Sequence, residues 1–294
     1  MITFPDISPE IFSVSLFGVN FALRWYALSY IVGFICALQI MKFFVSRENL
    51  WEKKAPPFKA NIADSILTYL ILGVIIGGRL GYVIFYNFEY YFSNPLSVIR
   101  IWDGGMAFHG GFIGVILAVI LFCWRKKISL WSTADLIAVS TPPGLFFGRV
   151  ANFINSELWG RPTEVFWGVI FPGERAQQCD GVIGPCARHP SQLYEAGLEG
   201  ILLFIILIYL ALAGRFKSPG FLTGVFAFGY GISRFIVEYF RVPDPQFFSP
   251  ENPYGFALQI GDYGLTMGQC LSLPMLLVGL ALCSGWAARR KKEL

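Results

Sequence analysis

Residues 108–127 read FHGGFIGVILAVILFCWRKK. From Phe108 to Trp124 only His109 departs from small or apolar side chains, and the run stops on Arg125, Lys126 and Lys127. A helix needs about 20 mainly apolar residues to cross a bilayer, and clustered Lys and Arg stay on its cytoplasmic side. The stretch therefore predicts a spanning helix that enters from outside near His109 and ends inside.

The same pattern recurs along the chain. Apolar windows fall at 22–45, 62–85, 108–124, 134–153, 196–213, 220–240 and 265–286, which predicts an all-α polytopic membrane protein with seven transmembrane helices. Basic clusters follow the odd-numbered windows: Arg47, Lys53, Lys54 and Lys59; Arg125 to Lys127; Arg215 and Lys217; and Arg289 to Lys292. With Lys42 they hold 14 of the 23 Lys and Arg residues, so the N-terminus is expected outside and the C-terminus in the cytoplasm.

Composition agrees with this class. Of 294 residues 55% are hydrophobic and 14% charged, against about 25% charged in soluble domains. Mean hydropathy is +0.57. The net charge of +4 says little beside the placement of the charges, and no nucleic-acid partner is expected. Residues 1–12 hold no Lys or Arg and no long apolar core, unlike a cleavable signal peptide, and are expected to form an external arm.

The whole chain reads as one membrane domain, 1–294, with small external caps at 156–194 and 241–264, both rich in Pro and Gly. No CxxC or HExxH spacing supports a metal site, and no GxSxG elbow suggests a covalent intermediate. No cofactor is expected. Four cysteines fall inside apolar windows, while Cys179 and Cys186 share an outside segment; an oxidising compartment permits a disulfide there, which the spacing alone does not decide. Glycines at 77, 81, 110 and 114 fit close helix packing.

The predicted topology puts the intramembrane polar groups on one side. Arg24, Arg79, His109, Arg149, Asn152, Arg234, Glu238 and Gln269 all fall in the outer halves of their windows. Random scatter would divide them between leaflets. A charge at the centre of a spanning helix costs about 2.5–3.5 kcal/mol, so these groups need partners or water.

In the sixth window Tyr230, Arg234, Glu238 and Arg241 follow at i, i+4, i+8 and i+11, forming one polar stripe. A structural Arg234–Glu238 ion pair would explain that stripe as well as a site would. Arg149 and Asn152, at i and i+3, form a second donor-rich face. Two arginines facing one cavity repel unless an anion lies between them, and guanidinium forks match phosphate oxygens. A phosphate-bearing lipid head group in the outer leaflet is the ligand this chemistry suggests. A lone histidine is more often structural than catalytic, but His109 lies at the mouth of the same polar group.

Six motifs, RWYALSY, GGRLGY, WDGGMAFHGGFIG, GRVANFINSELWGRP, RHPSQLYE and GISRFIVEYFR, resemble in identity and order those of the bacterial prolipoprotein diacylglyceryl transferases. The resemblance covers nearly the whole chain and is densest at 148–162. It implies transfer of the diacylglyceryl group of phosphatidylglycerol to the lipobox cysteine of a prolipoprotein signal peptide, with glycerol phosphate leaving. It also implies seven helices in the bacterial cytoplasmic (inner) membrane, a metal-independent reaction, and partners limited to these substrates and membrane lipids. Ala151 departs from the family pattern, where a glycine is expected.

Carried over residue by residue, the resemblance gives His109, Tyr26, Arg149, Arg234 and Tyr230 as catalytic groups. It gives Arg149, Asn152, Glu157, Gly160, Arg234 and Glu238 as substrate-binding groups. The attacking thiol, with an ordinary pKa of about 8.5, needs a base or nearby positive charge. His109 is expected as the base, Tyr26 and Tyr230 as relays, the arginines as phosphate holders, and Glu157 and Glu238 as carboxylates that orient the arginines. A lipid or anion transporter would use the same arginines, but predicts polar residues through both leaflets. A purely structural ion-pair network leaves His109 and the caps unexplained.

Overall fold

A computed structural model describes the chain except residues 17–18, 180–183, 244, 248, 250–251, 262 and 286–294. Its principal helices are α1 (Trp25–Val45), α2 (Ala63–Tyr86), α3 (Phe108–Lys126), α4 (Leu130–Ser140), α5 (Pro142–Ile154), α6 (Ser191–Leu212), α7 (Phe221–Val237) and α8 (Met267–Cys283). Among the described residues five helical stretches are long and apolar enough to cross a membrane: Trp25–Val45, Ala60–Tyr86, Phe108–Lys126, Ser191–Leu212 and Phe221–Phe240.

The other two expected spans are helical but short. The window at 134–153 divides into α4 and α5, which meet at Thr141. Pro142 and Pro143 supply no N–H to the preceding turn, and proline is best tolerated in the first turn of a helix. The last window gives α8, with Pro274 inside it and a Thr266–Gln269 capping box at its start. The Arg289 to Lys292 cluster lies outside the described residues.

The molecule is mostly helical, not purely so. Residues Glu10–Leu16 and Val19–Arg24 pair as an antiparallel hairpin, in register Glu10 to Arg24 with an irregularity between Glu10 and Phe12. The alternation Phe12-Ser13-Val14-Ser15 has the period of a strand. The expected first span starts at residue 22, whereas α1 starts only at Trp25. Ile2–Thr3 pairs in parallel with Val169–Ile170, so the N-terminal arm docks on the segment between α5 and α6.

The apolar core lies toward the basic loops. Met41, Phe44, Trp51, Ile66, Phe122 and Leu207 are buried in it. Trp51 stacks on Phe216 at 4.1 Å and donates its indole N–H to Phe44 O at 2.9 Å. Asp135, fully buried on α4, accepts the N–H groups of Gly220 and Thr223 and the Thr223 hydroxyl, each at 2.7 Å. The carboxylate thus satisfies donors at the N-terminus of α7 and complements its dipole.

α2 and α3 meet backbone to backbone. A Cβ on Gly77 would lie 2.7 Å from Gly114 Cα and closer still to the Gly110 carbonyl, so no side chain fits. α6 widens into a π-helical segment over Ala196–Leu202 where it passes α5 and α7.

Candidate active site

Three helices converge on one group of charges at the end of the bundle away from this core. α5 contributes Arg149 and Asn152, the end of α7 contributes Arg234, Glu238 and Arg241, and α6 contributes Glu195 and Glu199. Arg149 Nε lies 2.9 Å from Glu195 Oε2, and Arg149 Nη2 lies 3.5 Å from Glu199 Oε2. Arg234 Nη1 also pairs with Glu195, through Oε1, and Arg241 Nη1 reaches that oxygen at 3.0 Å. Glu238 Oε2 binds Arg234 Nη2 at 3.1 Å and Arg241 Nε at 3.6 Å.

The anion between the two predicted arginine faces is therefore built in. The Glu195 and Glu199 side chains are 1% and 0% exposed, while those of Arg149, Arg234 and Arg241 keep 19%, 20% and 18%. Buried carboxylates require pairing, and each guanidinium meets that need with one edge while leaving part of its surface open.

Sequence reasoning did not select Glu195 or Glu199. Glu195 closes the RHPSQLYE motif, and Glu199 follows at i+4 on the same helix face. Two glutamates one turn apart in an apolar window were the available signal.

Glu157 makes different contacts from those expected. Among the described residues no ion pair joins it to an arginine; its Oε1 accepts Asn152 Nδ2 at 2.7 Å and Asn155 Nδ2 at 3.5 Å. Its N–H donates to Asn152 O at 3.1 Å, and Gln192 Nε2 donates to its carbonyl. Ser156 and Leu158 on either side are left-handed, with φ of 53° and 57°. Non-glycine residues adopt this conformation only at a cost, and here it folds the chain back so that Glu157 closes on the end of α5.

Gly160 lies where the caps meet. Its N–H donates to His189 O at 2.8 Å, it bridges to Arg241, and a Cβ would lie 2.8 Å from His189 Cβ. Tyr26 and Tyr30 meet edge to face at 5.2 Å with hydroxyls 3.4 Å apart, and Tyr30 feels the charges of Arg149 and Glu157. Tyr230 lies in the field of Glu199, Arg149 and Arg234.

Three other expected members of the polar group make their hydrogen bonds elsewhere. Arg79 is buried but donates to the carbonyls of Ser97, Val98, Gly105 and Arg100 at 2.7–3.2 Å, holding the loop between α2 and α3. Exposed Arg24 pairs with Glu10 at 3.3 Å, and Gln269 caps α8. His109 is exposed in the first turn of α3 beside the Phe108 ring; among the described residues no hydrogen bond or ion pair joins it to the arginines.

The segment between α5 and α6 forms a cap. Arg188, 4% exposed, donates to the carbonyls of Ala176, Gln178 and Gly160 and stacks 4.0 Å over Trp159. Burial pulls it below the ordinary arginine range. Burial likewise lowers His189, whose Nδ1 lies 3.0 Å from the Tyr194 hydroxyl. Cys179 and Cys186 are joined as a disulfide, which closes the alternative left open by their spacing. Phe4 packs on Phe153 and Phe171 beneath. An open apolar hollow of about 450 Å³ between cap and helices is lined by Trp167, Leu193, Tyr194, Ile236 and Phe240.

Fold and site together define a multi-pass membrane protein whose partly open arginines converge under a cap, an arrangement suited to an anionic amphiphile. The chain belongs to the prolipoprotein diacylglyceryl transferase family, whose model matches residues 13–284. A phosphatidylglycerol–prolipoprotein diacylglyceryl transferase of Cereibacter sphaeroides is 58% identical over 280 residues, 95% of this chain and 96% of that one. Proteins of the same name from Ruegeria pomeroyi and Brucella anthropi are 56% identical over 281 residues and 47% identical over 290. The former alignment covers 95% of each chain, the latter 98% of this chain and 94% of the relative.

Proposed function

We propose that this protein transfers the diacylglyceryl group of phosphatidylglycerol to the lipobox cysteine of a prolipoprotein. The thiolate sulfur attacks the glyceryl carbon, the carbon–oxygen bond to phosphate breaks, and glycerol phosphate leaves with the bonding electrons. The observation that supports this most directly is the convergence of Arg149 and Arg234 on one buried seat, in a chain that belongs to this family.

In this proposal Arg149 and Arg234 hold the phosphate and stabilise the charge that gathers on it. Glu238 holds Arg234, while Asn152, Glu157 and Gly160 shape the seat and the turn behind it. Tyr26 and Tyr230 act as hydrogen-bond donors or relays, and His109 takes the thiol proton from the mouth of the site. The apolar hollow beneath Trp167 suits an acyl chain.

The protein is proposed to be a single domain with seven spans in the bacterial inner membrane, α4 with α5 and then α8 completing the count. The N-terminus and the caps at 156–194 and 241–264 lie outside, the basic loops and tail inside, and the site opens to the outer leaflet. Purified protein incubated with phosphatidylglycerol and a lipobox peptide should release glycerol phosphate and raise the peptide mass by one diacylglyceryl group. Absence of both products overturns the proposal.

A further inference from the structure

We propose that Glu195 is an internal stand-in for the head-group phosphate: its carboxylate occupies the seat among Arg149, Arg234 and Arg241 that the phosphate takes during turnover. This rests on the function proposed above. Of the three glutamates in the group, Glu195 alone touches all three guanidiniums, through both of its oxygens. Glu199 touches only Arg149, and Glu238 only Arg234 and Arg241. Arg234 and Arg241 each aim a donor at Oε1, while Oε2 lies 2.9 Å from Arg149 Nε yet accepts no hydrogen bond; such a cradle is one that a phosphate, with more oxygens, can fill.

The ion pairs already in place favour this exchange. Three arginines are matched with three glutamates in the ion-pair network, so an arriving anion competes with carboxylates already in place. The phosphate gains the guanidiniums fully only when a carboxylate releases them. Glu195 is placed to do so, since it stands where α6 passes into the π-helical turns at Ala196–Leu202, a looser backbone arrangement than the α-helix around it. The phosphate approaches from the side on which the guanidiniums keep their exposed surface. Glu199, one turn farther along α6, has an Oε1 without a hydrogen-bond partner, and its charge would resist an anion pushed past the seat. Tyr230 from α7 lies among the same charges.

An orienting clamp and a stand-in predict opposite signs. If Glu195 is a stand-in, Glu195→Gln should bind glycerol phosphate roughly tenfold or more tightly, as hydrogen bonds to charged groups allow. KM for phosphatidylglycerol should fall, and kcat should fall with it because the product leaves slowly. Weaker glycerol phosphate binding by a variant that unfolds at the wild-type temperature overturns the proposal. If Glu195→Gln fails to fold, Glu195→Asp, a shorter competitor, should bind glycerol phosphate more tightly than wild type; equal or weaker binding overturns it. Direct binding needs no turnover, so it reads this inference even where wild-type protein yields no transfer product, the result that sinks only the proposed function.

Discussion

Arg149 Nε lies 2.9 Å from Glu195 Oε2, which joins α5 to α6 through a carboxylate that is itself shared with Arg234 of α7. One buried acid thus ties together the three helices that carry the candidate site. Each arginine is both a structural partner of Glu195 and a potential partner of the substrate.

Arg149→Ala should therefore act in two ways. Loss of a donor set that stabilises developing charge typically lowers turnover by about 10²-fold or more. Leaving Glu195 and Glu199 short of a partner should also destabilise the fold, since breaking a buried pair costs about 3–5 kcal/mol. Arg149→Lys, which keeps the charge but not the planar fork, should recover stability more than activity. Transfer rates and thermal unfolding of the two variants, measured side by side, separate these effects.

The assignment of His109 is tested by the pH profile of His109→Gln. If the imidazole is an obligatory base, the variant should be strongly impaired at neutral pH and regain rate as rising pH ionises the thiol. Near-wild-type transfer at pH 7 would show that the arginines alone suffice to favour the thiolate.

The cap should weaken in acid. Burial holds His189 below its ordinary value of 6.5, so the unfolded chain binds a proton more readily than the folded one. Stability from this residue is present above about pH 6.5 and is lost as pH falls through that value. The unfolding temperature should drop between pH 7.5 and 5.5, and His189→Gln should flatten the dependence; an unchanged slope in the variant removes His189 as its source.

Gly77→Ala should loosen α2 from α3. The added methyl group would press on the Gly110 carbonyl and Gly114 Cα, both backbone, which cannot turn away. Overpacking of this kind costs about 1–3 kcal/mol, read as a lower unfolding temperature in detergent. No such loss is expected for Gly148→Ala, where a Cβ meets nothing within 4 Å.

Much of the site was legible in helical spacing. Periodicity placed Arg149 with Asn152 and Tyr230 with Arg234 and Glu238, and the structure brings those two faces together. The Arg234–Glu238 pair at i, i+4 was legible too, at 3.1 Å. Spacing did not separate Arg79 and Gln269 from this group, because a polar residue in an apolar helix looks alike whether it holds a loop, caps a helix or faces a ligand. Nor did it show that Glu157 would turn to Asn152, which depends on the left-handed residues Ser156 and Leu158.

The sequence by itself determined the membrane class, the helical segments and the chemistry of the polar faces. Apolar length, basic clusters and the 3.6-residue period are properties of neighbouring residues, and they survive without knowledge of the fold. Only the tertiary structure decided which carboxylate answers the arginines. Glu195 meets Arg149 across 46 residues of chain and Arg234 across 39. Nothing local links such distant groups; they meet because a charge withdrawn from water must find its opposite on whichever helix packing brings near.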